Sequence, residues 1–292
     1  MRAYRIAYDG TAFRGFQRQP DVATVEDALF DALAALGIHD DGRTSDRSRP
    51  APRGYAAAGR TDAGVSALAQ TVALEAPDWC CPRALNAELP PAIRAWAGAD
   101  APDRFHATRD ARSRTYAYHL HAPEGTPERA RAALDALAGR HDFAALTPDD
   151  RAERTLSTDL RVDGPYLVCR FRAGGFPRAF VRRAVSLVAA VARDDRPLAD
   201  VDRLLSGPAT VADHERPGAA PPEPLVLEGV DYGLDFEPDP RAARSARDVF
   251  GTLRTERRTA ARVAAAVAGG VPAPDRTTDA DHDADGDNDG AG

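Results

Sequence analysis

The order of strand-like and helix-like patterns in the first half of this chain is repeated in the second half, and this repetition constrains the fold most strongly. The first half contains a strand, a helix, a strand, a short helix and a strand, at residues 2–8, 24–36, 70–75, 82–89 and 93–97. The second half contains a strand, a helix, a hairpin, a helix and a closing strand, at residues 114–121, 127–138, 154–173, 178–193 and 225–232. Two successive sets of interleaved strands and helices predict an α+β fold made of two parts.

We place the boundary between these parts near residue 105, which gives an N-terminal half of residues 1–105 and a C-terminal half of residues 106–240. Residues 241–270 are rich in alanine and arginine at helical spacing and predict one appended helix. Residues 271–292 carry seven aspartates and one arginine with few apolar side chains, so we expect a disordered acidic tail. Residues 39–54 are rich in proline, arginine and aspartate, and we interpret them as a flexible insertion.

The acidic tail accounts for most of the formal net charge of −7 and leaves the rest of the chain nearly neutral. An acidic total therefore does not exclude an RNA partner. All 38 basic residues are arginine, which excludes lysine-dependent classes such as P-loop NTPases and Schiff-base enzymes. Three cysteines without a CxxC spacing argue against a disulfide framework and against a thiolate metal site. Since the sequence has neither a long apolar run nor a signal-peptide pattern, we expect a cytoplasmic protein without a membrane span.

One short segment, residues 59–65, places an arginine and an aspartate two positions apart between two glycines. Residues 70–75 after it alternate between polar and apolar types, as in a strand that is buried on one face. We therefore expect Asp62 on a loop at the edge of a sheet, with both glycines in backbone conformations that other residues rarely adopt. Loops at strand ends often carry reactive side chains. The simpler alternative is a tight turn in which Arg60 and Asp62 form a surface ion pair.

This segment is one of several blocks that occur in a defined order along the chain. The other blocks are Tyr8 to Gln17, Leu85 to Pro90, Phe105 to Ala107, Arg114 to Tyr118, Phe176 with Val181 to Val185, and Leu225 to Tyr232. In this order, the blocks resemble those of the TruA-type tRNA pseudouridine synthases, with Gly59-Arg60-Thr61-Asp62-Ala63-Gly64-Val65 resembling the signature of that family. Ser66 stands where the family usually has histidine, which leaves open how this loop is tethered.

The resemblance implies an isomerase that converts uridine to pseudouridine in the anticodon stem–loop of tRNA, at tRNA positions 38 to 40. It implies a fold in which two ferredoxin-like halves form an extended, mostly antiparallel sheet with a central RNA-binding cleft. It also implies a homodimer that holds tRNA across both subunits. No cofactor, metal ion or nucleotide is implied.

The resemblance also assigns roles to the residues that match it. Asp62 is implied to be the nucleophile that acts on a flipped-out uridine, and Arg182 is implied to pair with it from across the cleft. Arg60 is expected either to contact phosphate or to brace the loop. Tyr116 is expected to stack on the uracil, although Tyr118 shares its strand face and the pattern alone fits a core aromatic at both positions. An RNA-gripping loop is expected from the exposed side chains of Arg14, Phe16, Gln17 and Arg18.

Two alternatives from other classes stay open at this point. A non-catalytic RNA-binding protein of the same fold would bind RNA without forming product. A hydrolase with an aspartate nucleophile would need a metal ion or a second carboxylate near Asp62, and the sequence shows neither nearby.

Overall fold

The computed structural model describes residues 1–39, 50–206 and 212–271. Most of the expected insertion, and all but the first residue of the expected acidic tail, lie outside these described residues. The chain divides into two compact units, Met1–Val249 and a second unit that begins at Phe250. No helix in the described part of the chain is long and apolar enough to cross a membrane.

The N-terminal half contains four strands and two helices. They are β1 (Arg2–Tyr8), α1 (Val25–Ala35), β2 (Ala56–Ala57), β3 (Ser66–Leu74), α2 (Pro82–Glu88) and β4 (Ile93–Asp100). β1 pairs antiparallel with both β3 and β4, and β2 pairs with the other side of β3. The strand order is therefore β4-β1-β3-β2, which is the order of a ferredoxin-like βαββαβ unit.

The C-terminal half repeats this topology and adds a short strand and a short helix. Its elements are β5 (Ser113–His121), α3 (Pro127–Leu137), β6 (Gly139–Asp142), β7 (Glu153–Asp163), β8 (Tyr166–Ala173), α4 (Phe180–Ala192), α5 (Ala199–Leu205) and β9 (Leu225–Asp231). β5 lies between β8 and β9, and β7 lies beyond β8, so the order β9-β5-β8-β7 matches that of the first half. The expectation of two ferredoxin-like halves is confirmed, and the short strand β6, which pairs with β7, was not predicted.

A short parallel pairing joins the two halves into one sheet. Ser66 and Ala67 of β3 pair with Val226 and Leu227 of β9. The described residues thus form a ten-stranded, mostly antiparallel sheet, completed by β10 (Glu237–Pro238) beside β4. Helix α6 (Pro240–Gly270) follows β10 in the chain. The domain boundaries at residues 105, 240 and 270 stay predictions.

Local sequence signals set the ends of the helices. The Thr24 hydroxyl accepts a hydrogen bond from the Asp27 amide at 3.2 Å and donates one to the Asp27 carboxylate at 2.6 Å. The first of these bonds is the N-cap contact of the capping box that the sequence predicts at the start of α1, whereas the Asp27 carboxylate binds the Thr24 hydroxyl. Gly37 after α1 and Gly139 after α3 take φ values of 69° and 101°, which glycine adopts without steric cost.

The buried apolar side chains form two clusters, one mainly in each half. Phe30 of α1 and Tyr4 of β1 belong to the first cluster, while Phe171 of β8 and Val185 of α4 belong to the second. Tyr116 on β5 packs against both clusters. The two halves are therefore packed against each other, and the Tyr116 ring contacts the apolar cluster on each side.

The prediction that residues 70–75 form a strand buried on one face only is wrong. Gln70 and Thr71 are both 0% exposed, because β3 lies in the middle of the strand order with both faces covered. Both side chains have hydrogen-bond partners: Gln70 Nε2 donates to the Gly59 carbonyl at 2.9 Å, and Thr71 Oγ1 accepts from Arg5 Nη1 at 2.7 Å. Hydrogen bonding removes most of the cost of burying these polar groups.

Burial of the tyrosines makes the folded state less stable at alkaline pH. Burial is the main cause that raises the pKa of six of the seven tyrosines, to about 12 for Tyr116 and Tyr232. A tyrosine in the unfolded chain has a pKa of about 10, so the native state keeps protons that the unfolded state releases above that value. The stabilising contribution is complete below about pH 10 and is lost as the pH rises through the raised pKa values.

We therefore expect the free energy of unfolding to fall steeply between about pH 10 and pH 12, with Tyr116 and Tyr232 still protonated in native protein at about pH 10.5. Phenolate absorbance of native and urea-unfolded protein, recorded at the same pH, measures this difference. Equal absorbance of the two states at pH 10.5 would contradict the burial of these side chains.

Candidate active site

The loop of residues 59–65 lies immediately before β3, the strand at which the two halves join. The sequence predicts this loop at the edge of a sheet, but β3 is an interior strand of the ten-stranded order. The loop therefore opens on the cleft between the two halves. Gly64 takes a φ of 83° as expected, whereas Gly59 does not adopt a left-handed conformation.

Hydrogen bonds from neighbouring elements anchor the loop backbone. The Phe16 amide donates to the Thr61 carbonyl at 3.0 Å, and the Thr61 and Tyr8 hydroxyls share a buried bond of 2.7 Å. Gln70 Nε2 holds the Gly59 carbonyl from β3. These contacts fix the backbone on both sides of Asp62 and leave its side chain free of a structural role in the loop.

Gly10, in the turn after β1, also packs directly on the loop. A Cβ added to Gly10 would lie 2.0 Å from the Val65 carbonyl oxygen, so a glycine is required at this close approach. The Gly10 amide donates to Ser66 Oγ at 3.0 Å. Serine at position 66 thus tethers the loop to the turn after β1 by its hydroxyl group.

Asp62 and Arg182 form an ion pair across the cleft. Asp62 Oδ2 lies 3.1 Å from Arg182 Nη1, and the side chains are 44% and 19% exposed. Arg182 Nε donates to the Ala220 carbonyl at 2.6 Å, which fixes the guanidinium from a second side. Asp62 Oδ1 makes no hydrogen bond with any described residue, so one carboxylate oxygen is oriented by arginine and the other is free to react.

Arg60 does not pair with Asp62, so the alternative of a local surface ion pair is wrong. The Arg60 side chain is exposed and forms no hydrogen bond or ion pair within the described part of the chain, and the same holds for Arg14. Loop bracing by the Arg60 guanidinium is therefore not observed. Two unpaired cations at the mouth of the cleft are available for anions.

The prediction of an exposed ring at position 16 is wrong. Phe16 is 1% exposed and its ring lies 6.2 Å from that of Tyr8, because its backbone is bonded to Thr61 on one side and to Glu26 on the other. Phe16 supports the loop from beneath. Gln17, the next residue, is exposed and lines the cleft.

Tyr116 reaches the cleft, whereas Tyr118 on the same strand face is only 3% exposed and belongs to the core. The Tyr116 ring packs edge-on against Phe176 with centroids 5.3 Å apart and an interplanar angle of 85°. Burial raises the pKa of Tyr116 to about 12, against the lowering effect of Arg114 and with a smaller raising effect of Asp62. The Tyr116 hydroxyl is therefore protonated at neutral pH and can donate a hydrogen bond.

The structure brings seven of the eight sequence-predicted site residues to one cleft of about 980 Å³, whereas Arg18 lies over the Phe30 ring, 4.5 Å from its centroid. The seven residues in the cleft are Arg14, Phe16, Gln17, Arg60, Asp62, Tyr116 and Arg182. Sequence reasoning assigned no role to Phe176 or to Asp149, which also line the cleft. Asp149 accepts a hydrogen bond from the Arg178 amide at 2.7 Å, and no local pattern marks it, because it follows a proline in an irregular segment.

Comparisons with known proteins point to one family. A family model described as tRNA pseudouridine synthase matches residues 133–233, a range that contains Arg182. The tRNA pseudouridine synthase A of Natronomonas pharaonis is 60% identical over 263 residues, covering 88% of this chain and 95% of the relative. That of Haloarcula marismortui is 52% identical over 269 residues, with the same coverage of both chains. Among solved structures, the alignment with an archaeal box H/ACA sRNP Nop10-Cbf5 complex covers 65% of this chain and 43% of that chain, with 14% sequence identity and a TM-score of 0.32.

Proposed function

The chain belongs to the tRNA pseudouridine synthase family, and we propose that it isomerises uridine to pseudouridine in tRNA within this cleft, with Asp62 as the nucleophile. The observation that carries the residue assignment is the Asp62–Arg182 pair. One carboxylate oxygen is bound by the guanidinium and the other faces no protein partner among the described residues.

The reaction breaks the bond between N1 of uracil and C1′ of ribose and forms a bond between C5 and C1′. C5 loses a proton and N1 gains one, so atoms and electrons balance without an oxidant or a reductant. A carboxylate can attack the base or the sugar and later leave, which separates the two bond changes. The charged hydrogen bond from Arg182 orients the Asp62 carboxylate for this attack.

The target base must leave its stack before Asp62 can reach it. In the proposed complex, the Tyr116 ring stacks on the flipped uracil, and the edge of Phe176 keeps that ring in place. The unpaired guanidinium groups of Arg14 and Arg60 contact backbone phosphates on either side of the flipped nucleotide. Gln17 supplies an amide for hydrogen bonds to the same strand.

The proposal extends to finer points that the family resemblance implies. The modified uridines lie in the anticodon stem–loop, the reaction takes place in the cytoplasm, and a homodimer binds one tRNA across both subunits. Mapping of the modified positions and sedimentation of the purified protein test the first and the last of these points. A species with the mass of one chain at micromolar concentration would contradict the dimer.

One experiment separates catalysis from RNA binding alone. Purified protein is incubated with an unmodified tRNA transcript, with and without EDTA, and pseudouridine is mapped by chemical modification. We expect pseudouridine at equal yield in both samples. Tight binding of the transcript without product would favour the non-catalytic RNA-binding alternative, and cleaved or hydrolysed product would favour the hydrolase.

A further inference from the structure

Arg114, on β5, donates four hydrogen bonds to backbone carbonyls and none to a carboxylate of the described residues. Its Nε and Nη2 both donate to the Ala58 carbonyl, at 3.1 Å and 2.6 Å, and Nη2 also donates to the Thr108 carbonyl at 2.8 Å. Nη1 donates to the Gly174 carbonyl at 2.5 Å. The planar guanidinium presents five N–H donors in a fixed arrangement. Its four contacts here reach three different carbonyl groups.

These carbonyls belong to the two sides of the cleft and to the connection between them. Ala58 is the residue before the loop that carries Asp62. Gly174 follows β8 and leads through Phe176 into α4, the helix that carries Arg182. Thr108 lies between β4 and β5, and its hydroxyl is bonded to the Ala57 carbonyl at 2.6 Å.

We propose that Arg114 is a positioning residue that fixes the Asp62 loop relative to the Arg182 helix and thereby sets the geometry of the reacting carboxylate. Among the described residues, no other arginine side chain donates hydrogen bonds to both the segment before the Asp62 loop and the segment before α4. Arg114 acts through these segments, because none of its nitrogens bonds to Asp62 or Arg182.

Geometry of this kind affects the rate of the chemical step more than binding. A displacement of about 1 Å in a reacting group can lower a rate about 100-fold. Substrate contacts proposed for Arg14 and Gln17 lie on the segment after β1, which makes no hydrogen bond with Arg114, so binding depends on Arg114 less than the rate does. A role confined to folding stability would instead lower the melting temperature and leave kcat per folded molecule unchanged.

The inference rests on the proposed function and is tested with Arg114→Lys and Arg114→Met. The matched control is Arg170→Met on the adjacent strand β8, which removes an ion pair with Glu228 of 2.8 Å that lies outside the cleft. We expect both Arg114 variants to lose about 100-fold in kcat with KM for tRNA changed less than about 3-fold. The Lys variant keeps the charge but cannot span three carbonyls, so it should not restore the rate. The Arg170→Met variant should keep the wild-type kcat, even if its melting temperature falls by as much as the melting temperatures of the Arg114 variants.

Wild-type protein assayed beside the variants distinguishes failure of the proposed function from failure of the positioning role of Arg114. An inactive wild type overturns the proposed function, and this inference with it. An active wild type with Arg114 variants of unchanged kcat overturns the positioning role alone. The same conclusion follows if kcat falls only in proportion to a loss of folded protein, or if neither variant folds, since Arg114 would then serve stability. A crystal structure of Arg114→Lys should show the Asp62 Oδ2 to Arg182 Nη1 distance lengthened from 3.1 Å.

Discussion

Replacement of Asp62 by asparagine is expected to lower kcat for pseudouridine formation by about 10⁴-fold or more, as loss of a catalytic nucleophile does in other enzymes. The amide has nearly the same size and shape as the carboxylate, but it is a poor nucleophile and cannot form the charged pair with Arg182. The loop should keep its place, because its hydrogen bonds to Tyr8, Phe16 and Gln70 involve the backbone and Thr61. Affinity for tRNA should therefore change less than about 10-fold.

Release of tritium from C5 of labelled uridine in tRNA measures this effect, because C5 loses its proton as the new carbon–carbon bond forms. Binding is measured in parallel with the same transcript. Turnover of the Asp62→Asn variant within 10-fold of wild type would show that another group is the nucleophile. A parallel loss of binding would show that the substitution disturbs the cleft.

Replacement of Arg182 by methionine is expected to lower kcat by about 10²- to 10³-fold, the usual effect of removing one preorganised charged partner from an active site. The substitution removes both the 3.1 Å contact with Asp62 and the 2.6 Å bond to the Ala220 carbonyl. Arg182→Lys should recover little of the rate, since one ammonium group cannot make both contacts in the same geometry.

The matched control is Arg183→Met, on the next residue of α4. Arg183 makes an equivalent bond to the Pro217 carbonyl at 2.8 Å but does not contact Asp62. We expect this variant to retain kcat within about 3-fold of wild type. Equal losses in the two variants would indicate that arginine at this end of α4 stabilises the helix rather than the carboxylate.

Much of the fold could be predicted from the sequence because its signals are local. The N-cap of α1 at Thr24, Gly37 after that helix and the apolar residues of β1 are each encoded within a few neighbouring positions. The repeated order of elements predicted the two halves. β10 could not be found in this way, because its two residues, Glu237 and Pro238, carry no strand pattern of their own.

Features that depend on distant contacts could not be derived from local pattern. Asp62 and Arg182 are 120 positions apart, and only the family resemblance linked them. The burial of Phe16 follows from backbone bonds to Thr61 and Glu26, and no sequence pattern distinguishes such a ring from an exposed one. The burial of Gln70 likewise depends on a contact outside its own strand, since its side chain donates to the Gly59 carbonyl of the loop.

A single-turnover experiment tests the central assignment most directly. Enzyme in excess over an unmodified tRNA transcript is quenched at successive times, and the RNA is digested to nucleosides to count pseudouridine per molecule. Wild type is compared with Asp62→Asn and with Asp149→Asn, which alters another carboxylate lining the same cleft. We predict product from wild type and from Asp149→Asn at rates within about 10-fold of each other, and no product from Asp62→Asn although the tRNA is bound. Product from Asp62→Asn at the wild-type rate would contradict the assignment.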